Sequence, residues 1–100
     1  VLGTQAASIT ATWILTPTAP YITLDSSITA TSSTSTPIIT TTAAVGQQIL
    51  LHNINAVTLT LDGTGGTVEC GGDVALGEDD MVSLIYTADS VWRCIYVRDN

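Results

Sequence analysis

No eleven-residue window of this chain sets apolar residues at helical spacing, whereas alternation with a period of two recurs along its length. In the first such segment Ala7, Ile9, Ala11, Trp13 and Leu15 take the odd positions, with Ser8, Thr10 and Thr12 between them. Successive side chains of a strand point to opposite faces, so the segment predicts one apolar and one hydroxylated face. Pro17 and Pro20 close it, because proline offers no N–H to a ladder. Further strands are predicted at Tyr21 to Asp25, Ser26 to Thr31 and Ile38 to Ala43. Gln47 to Asn53, with Ile49, Leu50 and Leu51 adjacent, reads as a strand buried on both faces. Val57, Leu59 and Leu61 alternate with Thr58, Thr60 and Asp62. The glycines of Asp62-Gly63-Thr64-Gly65-Gly66 then predict a turn back into Thr67 to Cys70. Val74 to Leu76 follows, and Met81 to Tyr86 is expected to hairpin through Thr87 to Ser90 into Val91 to Val97.

One hundred residues allow one domain with a small core. The expected fold is all-β: a single β-sandwich or jelly-roll-like domain over 1–100, with eight to ten short antiparallel strands. Intersubunit contacts are expected to complete it, with residues 1–16 exchanged with a neighbouring subunit. The competing reading makes that segment an ordinary first strand of its own sandwich.

Charge is uneven. Residues 1–60 carry one formally charged side chain, Asp25, while the other eight acids and both arginines lie between Asp62 and Asp99. The chain has no lysine and a net charge of −7, which argues against nucleic-acid binding, since that needs cations to release phosphate counterions. A long uncharged stretch suits a surface covered by another subunit, by glycans or by a neighbouring sheet. Alternatively, its 18 threonines and 8 serines, counted over the whole chain, solvate it through their hydroxyls alone. The Ser/Thr run from Thr29 to Thr42 has a mucin-like composition that would accept O-linked sugars in a secreted protein. No run approaches the roughly eighteen apolar residues of a membrane helix, so the domain is not expected to be transmembrane.

Gly46-Gln47, Ile49 to Asn53, Leu59 to Gly65, Gly72-Asp73-Val74, Leu76-Gly77, Asp80, Leu84-Ile85-Tyr86 and Trp92 follow in an order that resembles a β-module of bacteriophage tail-fibre and other virion-surface proteins. Related stretches occur in uncharacterised secreted bacterial proteins, and Thr16-Pro17-Thr18 with Tyr21 to Ser27 extends the likeness to about four fifths of the chain. The resemblance implies a self-associating structural module outside the cell or on a particle, and carries over no catalytic residue.

The side chains that could carry chemistry are few. His52 lies between Leu51 and Asn53 with no nucleophile motif near it, and reads as a hydrogen-bonded structural histidine. Cys70, Cys94 and His52 lack the spacing of a zinc site. Glu78-Asp79-Asp80 has carboxylates for calcium but no surrounding EF-hand pattern, and reads as a solvated turn. Asp62, Glu69, Asp73 and the 78–80 cluster are the only source of paired carboxylates for glycoside hydrolysis. Gly63-Thr64-Gly65-Gly66 is followed by neither Lys nor a helix and is no phosphate loop. No catalytic residue, metal site or cofactor is therefore expected, and the chain is not expected to be an enzyme.

Cys70 and Cys94, an even pair on predicted strands, are expected to form an intrachain disulfide, the alternative being two buried thiols. The leading functional expectation is a structural subunit of a self-assembling homopolymer or homotrimer: a filament, tube, fibre or decoration layer on a cell or virion surface. Ile9, Ala11, Trp13 and Leu15 are its expected assembly interface. The runner-up is a carbohydrate-binding or adhesive module, with Trp92 and Tyr96 sharing one strand face at i and i+4 as a stacking shelf.

Overall fold

The computed structural model describes residues 3–99. Eleven short strands make two sheets, and no helix occurs among the described residues. The larger sheet runs β1 (Thr4–Ser8), β3 (Tyr21–Asp25), β5 (Gln48–Asn53), β10 (Met81–Tyr86), β11 (Trp92–Arg98), β8 (Val68–Glu69) and β7 (Thr64–Gly65) in spatial order. The smaller runs β2 (Thr12–Trp13), β4 (Ala30–Ser32), β6 (Leu59–Leu61) and β9 (Val74–Leu76). The two pack as a single all-β sandwich around one core.

The sandwich class agrees with the sequence, but strand direction and number do not. Five of the nine strand pairings are parallel: β1 with β3, β3 with β5, β2 with β4, β4 with β6, and β11 with β8. Parallel neighbours cannot be joined by a hairpin and need a crossover. Here each crossover runs through the other sheet, so the chain winds through β1–β2, β3–β4 and β5–β6 as three successive coils. A parallel bridge from Leu15 to Ile38 stitches the first two coils on a third side, with Leu15 N donating to Pro37 O and Ile39 N to Leu15 O. The antiparallel pairings are β5 with β10, β6 with β9, β7 with β8 and the expected β10–β11 hairpin.

Each coil turns its alternate side chains inward. Ile22, Leu24, Ile49, Leu51, Val82, Leu84 and Trp92 from the large sheet meet Trp13, Leu59, Leu61, Val74 and Leu76 from the small one. β5 is not buried on both faces as its composition suggested: Ile49, Leu51 and Asn53 point in, while Leu50 and His52 lie half-buried on the outer face. Asn53 is the polar tie between layers. Its Nδ2 donates to Val57 O and Leu76 O, both at 2.8 Å, and its Oδ1 accepts from Asn55 N. Ile38 to Ala43, expected as a strand, forms only the bridge at Ile38.

The β7–β8 hairpin needs glycine at Gly66. Its φ is +68°, and a Cβ there would lie 2.2 Å from the carbonyl oxygen of Ser35. Ser35 O also accepts from Thr67 N, so this turn is clamped directly against the second coil.

Candidate assembly edge

Both sheets end on the same coil. β1 is the outermost strand of the large sheet and β2 of the small one, so one end of the sandwich presents two strand edges together. The hydrogen bonds show which backbone groups lie on the open side. Gln5 O accepts from Thr23 Oγ1 and Ile9 N donates to Asp25 O, so the odd positions of this segment face β3. Alternate residues of a strand direct their N–H and C=O to opposite sides, which leaves those of Thr4, Ala6 and Ser8 along the open edge. In the small sheet Ala11 O and Trp13 O accept from Thr31 N and Ser33 N, which turns Thr12 outward.

Part of this end is closed by side chains. Thr10 Oγ1 donates to Thr12 O at 3.0 Å. Gln5 spans a gap, its Nε2 donating to Thr16 O at 2.9 Å and its Oε1 accepting from Thr18 N at 2.7 Å. No comparable side-chain bond covers the β1 positions among the described residues. Residues 4–16 carry no charge, and Ile14 on this coil is 54% exposed.

The four expected interface residues divide. Ile9, Trp13 and Leu15 are buried in the chain's own core, and Ala11 alone is exposed. Their apolar stripe is thus already used, against the expectation that a neighbour covers it. What remains open is backbone. The segment belongs to its own sandwich through β1–β3 and β2–β4.

Cys70 and Cys94 are joined as a disulfide that links the end of β8 to β11. Such a bond is compatible with an oxidising extracellular environment. No described helix is long and apolar enough to cross a membrane.

His52 bridges two strands and a loop. Its Nδ1 meets Tyr21 Oη at 2.6 Å and its Nε2 meets Asp79 Oδ1 at 3.1 Å. The acidic bend does not converge. Asp79 turns to His52, Asp80 is buried with Oδ2 accepting from Gly77 N, and Glu78 is exposed. No group of three or more His, Cys, Asp or Glu suited to a metal occurs among the described residues. Thr64 donates to Asp62 Oδ1 through its hydroxyl at 2.6 Å and its N–H at 3.0 Å, which holds the Asp62 carboxyl below the usual carboxylate range.

The expected aromatic shelf is not formed. Register shifts at Ser83/Leu84, where a bulge at Ile95 inserts an extra residue into β11. Trp92 therefore faces the core opposite buried Tyr86, while Tyr96 faces outward opposite Ser83 and is 64% exposed. Sequence alternation cannot reveal this, because a bulge changes the parity without changing the composition. Comparison with protein-family models, curated proteins and solved structures finds no match to this chain.

Proposed function

We propose that this chain is a non-enzymatic structural module that assembles with copies of itself through the open β1/β2 edge, as part of an extracellular or virion-surface filament, fibre, tube or decoration layer. The observation that carries the reading is the uncharged coil end, where two sheets stop together with the backbone groups of Thr4, Ala6 and Ser8 unpaired by their own sheet. Exposed edges invite strand addition, and proteins that remain monomeric blunt them with Lys, Pro or bulges. Residues 4–16 contain no Lys or Pro. A strand added here satisfies the ladder and extends both layers of the sandwich. The resemblance to virion-surface modules and the disulfide both accord with assembly outside the reducing cytosol.

Light scattering on size-exclusion fractions, with electron micrographs of the same material, tests the proposal. Wild-type protein should form species larger than the 10.4 kDa chain. Ala6→Lys/Ser8→Lys places charge along the edge and should leave a folded monomer. A wild type that stays monomeric to millimolar concentration overturns the proposal, as does a doubly substituted chain that assembles unchanged.

A further inference from the structure

The edges that one copy could offer to another are unequal. β7 and β2 are two residues long and β9 is three. β11 pairs with β8 only at Trp92 and Arg93, but the stretch beyond holds the bulge at Ile95 and the charges of Arg98 and Asp99. Bulges and edge charges block strand addition. Among the described edge strands, β1 alone runs five residues without charge or bulge. Its open groups are also spaced symmetrically: Thr4 and Ser8 direct their N–H and C=O outward two residues to either side of Ala6, which does the same. The edge that matches β1 in length and spacing is therefore another β1.

We propose that two copies join β1 to β1, antiparallel, about a two-fold axis normal to the sheet at Ala6. The pairing rests on assembly at the β1/β2 edge and specifies what the edge meets. Opposed residues of an antiparallel pair exchange both hydrogen bonds at every second position. The axis sets Thr4 against the partner's Ser8, Ala6 against the partner's Ala6, and Ser8 against the partner's Thr4, so every open group is answered. A two-fold axis along the strands would instead oppose N–H to N–H at equal heights. Side chains agree with the antiparallel form. Thr4 and the partner's Ser8 make a hydroxyl pair, and the two alanines leave room at the centre. Charge agrees as well. Asp25, in register with Ser8, is the nearest acid in sequence and sheet. The axis separates the two Asp25 positions by three strand spacings and four residues, about 20 Å. That is more than twice the roughly 8 Å screening length at physiological salt, so copies at net charge −7 can meet here. The axis keeps large sheet beside large and small beside small. An isologous contact closes on itself, so β1 builds a pair, and growth beyond the pair uses a second surface.

Cysteine substitution reads the register. In the pair, position 6 faces its own copy at about 5.5 Å between Cα atoms, within disulfide reach. Ala6→Cys should cross-link to a dimer under mild oxidation roughly tenfold faster than Thr4→Cys or Ser8→Cys alone, whose like positions lie about 14 Å apart. Mixing Thr4→Cys with Ser8→Cys should restore the cross-link. Non-reducing gels with peptide mapping measure this and separate the new bond from Cys70–Cys94. In the unsubstituted protein, magnetisation transfer between labelled and unlabelled copies should join Gln5 to the partner's Ala7. Cross-linking of Ser8→Cys alone as fast as Ala6→Cys overturns the two-fold register, and so does an assembled wild type without the Gln5 contact. Either result leaves assembly at the edge intact, whereas a monomeric wild type removes the edge and the pairing together.

Discussion

Replacing Asn53 by Ala should be among the most damaging single changes available to this fold. The side chain is fully buried where the chain leaves the large sheet, and it holds three groups from two segments, the loop after β5 and β9. Truncation leaves Leu76 O without that donor inside the sandwich, and leaves Val57 O and Asn55 N to find water. A buried group stripped of its partner costs about 1–3 kcal/mol, and a partly exposed one less, so the total loss should be about 2–4 kcal/mol. In a domain of this size that lowers the melting temperature by roughly 10–20 °C. Urea titration followed by tryptophan fluorescence measures it, since Trp13 and Trp92 both lie in the core. The midpoint should fall at constant slope. Asn53→Asp provides the internal control. It keeps the shape but turns a carboxylate oxygen toward two carbonyl oxygens, so it should lose at least as much at neutral pH and regain part as the acid protonates. A loss below about 1 kcal/mol for Asn53→Ala would show that the layers are not tied through this residue.

The disulfide closes a loop of sequence separation 24, so Cys70→Ala/Cys94→Ala should lose about 3.5 kcal/mol on the chain-entropy account. Thiol labelling in denaturant without reductant should find no free thiol, and two per chain would refute the bond. Asp62 is held low mainly by Thr64, so its contribution to stability is present at neutral pH and lost as pH falls through its folded value. Thr64→Val removes the 2.6 Å hydroxyl bond and should raise the Asp62 carboxyl's titration midpoint, read from its carboxyl carbon resonance; an unmoved midpoint would refute the assignment.

The residues show why class was legible and direction was not. Burial of alternate side chains fixes strand character in either direction; the glycines after Asp62 do mark a reversal, but Thr64–Gly65 form a strand of it, and Val68–Glu69 pair with them and with β11 rather than back on β6. Coil corners have no such signal. Ile9, Trp13 and Leu15 keep one parity while the chain passes from β1 to β2 and then to the Leu15–Ile38 bridge, because inward stays inward around a corner. Two strands and a bridge therefore read as one strand, and the parallel pairing each coil makes with the next was hidden. The same arithmetic misassigned Leu50 and His52 of β5. Their outer positions are half-covered without belonging to the core, and composition alone cannot separate a covered face from a core face.

The uneven charge acquires a spatial meaning on this fold. Among the described residues, the large sheet's edge at β1 and β11 sit at opposite sides of a molecule 34 × 29 × 22 Å across. Asp25, in register with Ser8, is the one acid on the first two coils. From β1 to β10 is three strand spacings, about 14 Å, and Glu69, Asp89 and Asp99 sit on or beyond β10 in that sheet. At physiological salt the screening length is about 8 Å. A neighbour added at β1 therefore meets hydroxyl and apolar side chains and little of the chain's field. Assembly there should respond weakly to ionic strength, and only at the lowest salt should net charge oppose it. Salt titration tests this: assembly at β1 that dissolves on modest added salt would mean that the acids, not the uncharged coil, hold the copies together.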